Sequence, residues 1–256
     1  MVPVSSPAAA PVTVTFAGSG DAFGSGGRAQ ACIHLQAPGA AAPVLLDCGA
    51  TSLTALRRCG LDPGDVAAVF VSHLHGDHFG GLPFMILNGQ FAHRVDPLTV
   101  IGPPGIARRL PELMECMFPG SSTVARRFGV DLVELPPGGE AVAAGVRATA
   151  WAADHPSGGP ALALRLAIGG KVVGYTGDTA WTDALIDVAA GADLLIAEAY
   201  YRDKSVPYHL RLADLVAHGA RLTSRRVVLT HMSADMLEHL DQARFETAAD
   251  GLVVRI

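Results

Sequence analysis

The chain has 256 residues, half of them hydrophobic and 17% charged, which is enough apolar side chain to bury the core of an α/β domain. Its formal net charge of −5 disfavours polyanions, so we do not expect long nucleic acid to bind. Since no apolar run approaches the length of a bilayer span, we expect no membrane partner either.

The predicted elements begin after a loose tail at residues 1–11, which has neither the basic start nor the apolar core of a secretory signal. Short runs rich in Val, Ile and Leu predict strands at 12–16, 31–35, 44–46, 67–71, 98–101, 130–135, 146–150, 161–167, 171–175, 194–197, 226–230 and 252–256. Helices are predicted at 52–59, 82–91, 106–117, 181–189, 213–221 and 233–244. The pattern favours one domain over 12–256, with two sheets covered by helices on both outer faces.

The four cysteines are spread along the chain and form no C-x-x-C pair. They therefore predict neither a disulfide framework nor a thiolate zinc site, and they favour a reducing compartment such as the cytoplasm.

Several polar residues follow the predicted strands directly, at the carboxyl ends where α/β sheets generally place their sites. Taken singly they are weak signals, because a lone histidine is usually structural and a Gly-Asp-Thr is often only a turn. Their common position at strand ends favours a shared site. The residues are the stretch HLHGDH at 73–78, His155, Asp178 and His231.

The stretch HLHGDH offers three imidazoles and a carboxylate within six residues, which is difficult to explain as core. His73 and His75 alternate by two and would point the same way in extended chain. Gly76 is expected to permit a sharp turn, so that Asp77 and His78 face a neighbouring point. Imidazole and carboxylate without thiolate suit Zn²⁺ first, with Mn²⁺ or Fe²⁺ as alternatives.

The segment VFVSHLHGDHFGGLP resembles the H-x-H-x-D-H signature of the metallo-β-lactamase superfamily. The resemblance runs in order through almost the whole chain, and it implies a four-layered αβ/βα sandwich with the metals at one edge of the sheets. Besides the signature, its motifs are LLDCG around Asp47, AADHPSGG around His155, YTGDT around Asp178 and VLTHMS around His231.

By this resemblance, His73, His75 and His155 would hold one metal, while Asp77, His78 and His231 would hold a second. Asp178 would bridge the two ions together with a water or hydroxide, and that hydroxide would attack the substrate. Asp47 would orient the signature loop by hydrogen bonds. An ordinary strand-end turn is the alternative for Asp47.

Two features are similar to the ribonuclease Z-like phosphodiesterases. The first is the glycine-rich opening that ends at Arg28, where the resemblance implies that this arginine would meet a phosphate. A plain hairpin is the alternative for this opening. The other is Glu198 in LLIAEAY with His209 in PYHLRL, which would orient and protonate a leaving oxygen. Asp77, Glu198 and His209 are thus the predicted catalytic residues. A purely structural Glu–His pair is the alternative reading.

The chain departs from full ribonuclease Z between His155 and Asp178, where there is room for two strands and a turn but not for an arm that grips transfer RNA. With the acidic charge, this favours a small or nucleotide-like phosphodiester over transfer RNA 3′ ends. The alternatives are a carboxyl-ester, lactone or thioester hydrolase with the same metals, and a non-catalytic binding protein. Relatives in the superfamily are commonly dimers, so a homodimer is also expected.

Overall fold

The computed structural model describes residues 11–256, so the predicted tail lies outside the described residues except for Pro11. The described residues contain fourteen strands: β1 (Thr13–Gly18), β2 (Cys32–Gln36), β3 (Val44–Leu46), β4 (Ala68–Phe70), β5 (Leu98–Gly102), β6 (Val130–Glu134), β7 (Glu140–Ala143), β8 (Val146–Ala153), β9 (Ala161–Ile168), β10 (Lys171–Tyr175), β11 (Leu194–Glu198), β12 (Val227–Thr230), β13 (Glu246–Thr247) and β14 (Leu252–Arg255). The α-helices of the same residues are α1 (Ser52–Arg58), α2 (Gly76–Phe79), α3 (Leu82–Phe91), α4 (Ile106–Met117), α5 (Ala184–Ala189), α6 (Leu212–His218) and α7 (Ala234–Leu237).

The strands form two seven-stranded sheets, in the orders β14-β1-β2-β3-β4-β5-β6 and β13-β12-β11-β10-β9-β8-β7. Strands β3 to β6 run parallel in the first sheet, and β10 to β13 run parallel in the second. Each parallel set places its carboxyl ends along one edge of its sheet, which is where the polar residues gather.

Three hydrophobic clusters separate four layers. The inner one joins the facing sides of the two sheets through residues such as Phe16, Phe70 and Ile196. A second lies between the first sheet and helices α1, α3 and α4, and includes Leu56, Ile86 and Leu110. The third lies between the second sheet and helices α5, α6 and α7. The layered α/β sandwich expected from the sequence is therefore confirmed.

The C-terminal helix predicted at 233–244 is wrong beyond its first turn. Helix α7 ends at Leu237, and a 3₁₀ turn follows at Leu240–Gln242. The His239 side chain explains the break, because its Nδ1 lies 2.7 Å from the Asp235 carbonyl oxygen. That oxygen would otherwise accept the residue-239 N–H of a continuing helix, so the side chain competes with the helix.

Other differences are smaller. Helix α5 begins at Ala184 rather than at 181, and the last turn of the 213–221 helix is the 3₁₀ segment Gly219–Arg221. The short strands β7 and β13 were not predicted. Within residues 11–256, no helix has the length and apolar character needed to span a bilayer.

Candidate metal centre

The site lies at the carboxyl ends of the parallel strands of both sheets. Asp47 follows β3 directly, and the signature loop follows β4. In the second sheet, Glu198 is the last residue of β11, and His231 comes directly after β12. The structure thus brings together side chains that are up to 184 positions apart in sequence, as the strand-end pattern predicted.

The signature loop contains a short helix rather than the expected sharp turn at Gly76. His75 is the N-cap of α2, and Gly76 is its first residue, where an added Cβ would meet nothing. The glycines that matter sterically lie beside it. A Cβ on Gly49 would come within 2.2 Å of the Asp77 carbonyl oxygen, and one on Gly81 within 2.2 Å of the Gly49 carbonyl oxygen. These two glycines let α2 pack directly against the turn after β3.

The predicted ligands form two adjacent groups. His73, His75 and His155 present ring nitrogens that lie within 4.8 Å of one another, and so do the ligand atoms of Asp77, His78, Asp178 and His231. Asp178 lies between the groups: its Oδ1 is 3.4 Å from His78 Nε2, and its Oδ2 is 3.9 Å from His73 Nε2. The position suits a carboxylate that serves both groups.

Unpaired polar atoms show that these residues fit metal ions. His73 Nε2 and Asp178 Oδ1 are buried without a hydrogen-bond partner among the described residues. His75 Nδ1 lies 3.1 Å from His155 Nε2, and His78 Nε2 lies 3.3 Å from His231 Nε2. Ring nitrogens that face each other in a buried site need a shared cation or bound protons. A donor set of imidazole and carboxylate suits zinc, manganese or iron.

The electrostatics of the groups agree with this donor chemistry. Burial lowers the pKa of His73 well below its ordinary value, and the adjacent His78 ring lowers it further, so His73 is neutral and able to bind a metal. Burial alone would raise the pKa of the Asp77 carboxyl, but the His78 and His231 rings hold it below its ordinary value. Burial opposes protonation of His231, yet the Asp178 and Asp77 carboxylates raise its pKa to about 10. Metal binding would therefore release protons from this site.

Asp47 organises the signature loop from the strand end below it. Its fully buried carboxylate accepts hydrogen bonds from Ser72 N (2.7 Å), Ser72 Oγ (2.8 Å), Tyr175 Oη (2.7 Å) and His78 Nδ1 (2.7 Å). The bond to Nδ1 fixes the His78 ring with Nε2 toward Asp178. With φ at 58°, Asp47 also has a left-handed backbone conformation that residues other than glycine rarely adopt. The ordinary-turn alternative does not account for these contacts.

Glu198 and His209 lie against the second group. Glu198 Oε1 accepts a short hydrogen bond from His209 Nδ1, while Oε2 accepts from Thr179 N (3.0 Å) and Leu210 N (3.2 Å). These contacts occupy the Glu198 carboxylate, so we do not assign it to a metal. Burial opposes protonation of His209, but the hydrogen bond and charge of Glu198 raise its pKa above the ordinary value. The imidazole is thus held by Nδ1, with Nε2 left for another partner.

Several supporting groups carry no signal in the sequence. Tyr175 and Ser72 hold Asp47, and the Ser72 hydroxyl also lies 3.1 Å from His73 Nδ1. The Tyr208 carbonyl oxygen accepts from His155 Nδ1 at 2.9 Å, and Tyr208 has φ at 66°. The Tyr200 ring stacks on His209 with centroids 4.6 Å apart. Residue type does not predict these contacts, because they depend on where the two sheets meet and, for Tyr208, on a backbone carbonyl.

Arg28 does not occupy the phosphate-binding place that the glycine-rich opening suggested. Its Nη1 donates to the Ala248 carbonyl oxygen at 2.6 Å, which ties the guanidinium to the chain's C-terminal segment. The loop itself adjoins the site, since Ser19 O accepts from His231 N at 3.1 Å. Its Asp21 carboxylate holds the turn through Ser25 N and Ser25 Oγ. His93, an exposed residue just after α3, belongs to neither ligand group.

Residues 43–232 match the family model of the β-lactamase superfamily domain, a span that includes all of the predicted ligands. The chain belongs to the metallo-β-lactamase superfamily. Among its relatives, the ribonuclease Z of Methanothermobacter thermautotrophicus is 29% identical over 86% of this chain and 86% of its own length. Within the superfamily the chain thus resembles the ribonuclease Z-like branch, and it is a metal-dependent hydrolase.

Solved structures agree on the fold of this superfamily member. The short form of human tRNase Z superposes with a TM-score of 0.76, at 24% identity, over 94% of this chain and 98% of its own. A diphosphatase from the PhnP family superposes with a TM-score of 0.75, at 18% identity, over 96% of this chain and 98% of its own. At these identities the likeness establishes the four-layered fold and no more.

Proposed function

We propose that this superfamily member is a binuclear metal-dependent phosphodiesterase acting on a small or nucleotide-like phosphodiester. The observation that carries the proposal is the Glu198–His209 pair. It lies within 4.8 Å of the ligand atoms of Asp178 and His231, at the rim of the predicted metal centre. A charged acid held at this place is needed for an alkoxide leaving group, and it is not needed for an activated lactam.

In this proposal, His73, His75 and His155 would hold one ion, and Asp77, His78 and His231 would hold the other, with Asp178 available to both. Two divalent ions bound here would acidify a shared water and draw charge from the phosphate oxygens. Zn²⁺ is the first expectation for this nitrogen and oxygen donor set, with Mn²⁺ or Fe²⁺ as alternatives.

His209 has the position expected of the general acid, and the Glu198 carboxylate favours its protonated form. Glu198 accepts from His209 Nδ1 and favours the cationic ring, so Nε2–H is available to donate to the leaving oxygen. Tyr200 stacks on the ring and limits its rotation. The His209 side chain is one-fifth exposed, whereas Glu198 is buried, so the acid faces the solvent-accessible side and its orienting carboxylate does not.

The size of the substrate follows from the chain between His155 and Asp178. Here β9 and β10 are joined by a tight turn at Gly169 and Gly170, with no inserted element in this described segment. A protein without such an extension lacks one means of gripping a large RNA, and its charge of −5 gives no compensating attraction. The diphosphatase neighbour is a precedent for phosphate hydrolysis on this fold.

Ribonuclease action on transfer RNA 3′ ends is the second candidate, favoured by the names of the curated relatives. Carboxyl-ester, lactone or thioester hydrolysis is the third, since the same metals suit acyl transfer. A homodimer and a cytoplasmic location remain predictions; sedimentation at several protein concentrations would test the first.

The test is a substrate panel on metal-replete protein: bis-p-nitrophenyl phosphate, a lactone, a thioester, a β-lactam and a precursor transfer RNA. We expect the phosphodiester to be hydrolysed most efficiently by kcat/KM. Robust turnover of the lactone, thioester or β-lactam with none of the phosphodiester would refute the proposal. Efficient trimming of the precursor RNA with weak diester hydrolysis would favour the ribonuclease instead.

A further inference from the structure

Beside the metal centre, a cavity of about 740 Å³ lies between the signature loop and helix α4. This volume is within the range of about 300–1,000 Å³ that small-ligand pockets have. Its lining includes His75 and Asp77, one residue from each ligand group, so the cavity adjoins the predicted metal centre.

Apolar side chains form most of the walls. Leu74 and Phe79 contribute from the signature loop, and Leu113 and Met117 from helix α4. Such a surface next to a phosphate-binding centre has no role in holding the phosphate itself. It favours an uncharged, flat group attached to that phosphate.

The charged residues of the cavity are already engaged. Arg109 Nη1 donates to the Ser157 carbonyl oxygen at 3.0 Å, and its guanidinium lies 5.9 Å from the centre of the Phe79 ring. Glu112 is paired with Arg108 at 2.7 Å. Apart from Asp77, which is assigned to the metals, each charged side chain of the cavity thus has a partner within the protein, and the cavity offers no unpaired charge to attract a charged ligand group.

The position of His209 indicates which part of the substrate binds in the cavity between the signature loop and α4. The general acid must touch the leaving oxygen, and His209 lines a different cavity of about 370 Å³, together with Asp154, Tyr208 and Arg211. The leaving group therefore lies toward that second cavity. The larger cavity, which does not include His209, is left for the ester group that stays on phosphorus.

We propose that the cavity between the signature loop and α4 binds an aromatic, uncharged group on the retained ester of the phosphodiester substrate. This inference rests on the proposed phosphodiesterase function and adds the class of substrate. It makes the retained group, rather than the leaving group, the main determinant of specificity on this side of the site.

Two diesters with one leaving group isolate the effect: phenyl p-nitrophenyl phosphate and methyl p-nitrophenyl phosphate. The enzymatic kcat/KM of each diester is divided by the rate constant for its hydroxide-catalysed hydrolysis, which removes the difference in intrinsic reactivity between the two diesters. We expect kcat/KM for the phenyl compound to exceed that for the methyl compound by at least about 10-fold, since burying a ring of this size is worth that much.

The variant Ala50→Trp fills the cavity from an exposed lining position, so it spares the core. It should lower kcat/KM for the phenyl compound to the value for the methyl compound and leave kcat/KM for the methyl compound unchanged. The matched control is Ala107→Trp, on an exposed alanine of α4 that does not line the cavity, and it should change neither rate.

A second readout does not depend on turnover. Cys116 lines the cavity and is exposed, whereas Cys59, which is partly exposed, does not line it. Phenyl phosphate should slow alkylation of Cys116 by a maleimide several-fold relative to Cys59, as mapped by mass spectrometry, and methyl phosphate should not.

The outcomes separate the two proposals. If both diesters are turned over with equal normalised efficiency, or if phenyl phosphate gives Cys116 no more protection than methyl phosphate does, the inference is overturned while the phosphodiesterase function stands. If neither diester is turned over, the proposed function is overturned, and the inference with it.

Discussion

At the scale of single residues, three non-glycine positions beside the site hold left-handed backbone conformations: Asp47 (φ 58°), Tyr208 (φ 66°) and His231 (φ 55°). Each contributes a contact to the site: the Asp47 carboxylate to His78, the Tyr208 carbonyl to His155, and the His231 ring to Asp77. Such conformations cost of the order of 1–3 kcal/mol each and persist only where the surroundings enforce them. Three of the five left-handed non-glycine residues in the described chain thus lie where the ligands are held.

Asp178 is the residue whose loss should affect both metals. In Asp178→Ala, we expect the metal content to fall from close to two ions per chain and the affinity to drop by more than about 100-fold, the upper end for residues that only orient a ligand. Elemental analysis after gel filtration measures this. Asp154→Ala is the control, because that exposed carboxylate next to His155 makes no side-chain hydrogen bond in the described residues. Full occupancy in Asp178→Ala would contradict the shared role.

The strand-end pattern and the family resemblance predicted the ligand groups, together with Asp47 and Glu198, but not the other residues that support them. His73, His75, Asp77 and His78 are conspicuous because so many metal-binding side chains rarely occur in six positions. Tyr175 and Ser72 look like ordinary strand-end residues, and their bonds to Asp47 depend on two sheets meeting in space. The role of the Tyr208 carbonyl belongs to the backbone and has no side-chain signature.

At the scale of elements, strands were easier to predict than helices. Runs such as Val44–Leu46 and Lys171–Tyr175 are bounded by turn residues and hold their predicted limits. Helix α3 begins and ends where its apolar run does, at Leu82 and Phe91. The 233–244 helix failed because one side chain, that of His239, takes a backbone acceptor. Edge strand β7 was missed because its four residues, EAVA, show no extended apolar run.

Helix α6, which follows His209, is fixed at its start by Asp214. The Asp214 carboxylate accepts from Arg211 N at 3.0 Å and pairs with the Arg211 guanidinium at 2.6 Å. We expect Asp214→Ala to lower the free energy of unfolding by about 1 kcal/mol, the usual cost of a lost helix cap, in chemical denaturation at pH 7. Asp187→Ala is the control, because Asp187 occupies the first turn of α5 without a side-chain hydrogen bond in the described chain. Equal effects in the two variants would contradict the capping role.

The pH dependence of this cap follows from the sign of its pKa shift. Burial would raise the pKa of Asp214, but its hydrogen bonds with Arg211 hold it below the ordinary value of 3.8. A carboxyl with a lowered pKa stabilises the folded state fully above its unfolded pKa and loses that contribution as the pH falls through its folded pKa. The stability difference between wild type and Asp214→Ala should therefore be constant from pH 7 to about 5 and shrink below about pH 4. A difference that grows on acidification would contradict this assignment.

At the scale of the whole molecule, the predicted metal centre lies where the two sheets meet. Its ligands come from the strand ends of both, with the signature loop on the first sheet and Asp178 and His231 on the second. Bound ions would therefore hold the halves of the sandwich together, because they would join ligand atoms that face one another where the sheets meet.

Metal removal should consequently destabilise the whole fold. Ions present at about 1,000 times their Kd stabilise a protein by about 4 kcal/mol, so we expect a strong chelator to lower Tm on the order of 10 °C. Added Zn²⁺ should restore it. Differential scanning calorimetry measures the shift, and Mg²⁺ serves as a control for ionic strength. An unchanged Tm in a sample shown to be metal-free would argue against a centre that links the sheets.

The most direct measurement of the central claim is the dependence of His209→Ala on the leaving group. Turnover of a dinucleoside monophosphate, whose alkoxide needs a proton, is compared with that of bis-p-nitrophenyl phosphate, whose leaving group needs none, at matched metal occupancy. In His209→Ala we expect kcat to fall by about 10²–10⁴-fold on the dinucleoside monophosphate and to change little on bis-p-nitrophenyl phosphate. Glu198→Gln should show the same preference in weaker form. The exposed control His93→Ala should lose activity on neither substrate. An equal loss on both substrates, or a loss of metal from His209→Ala, would show that His209 is a structural or ligand residue rather than the acid.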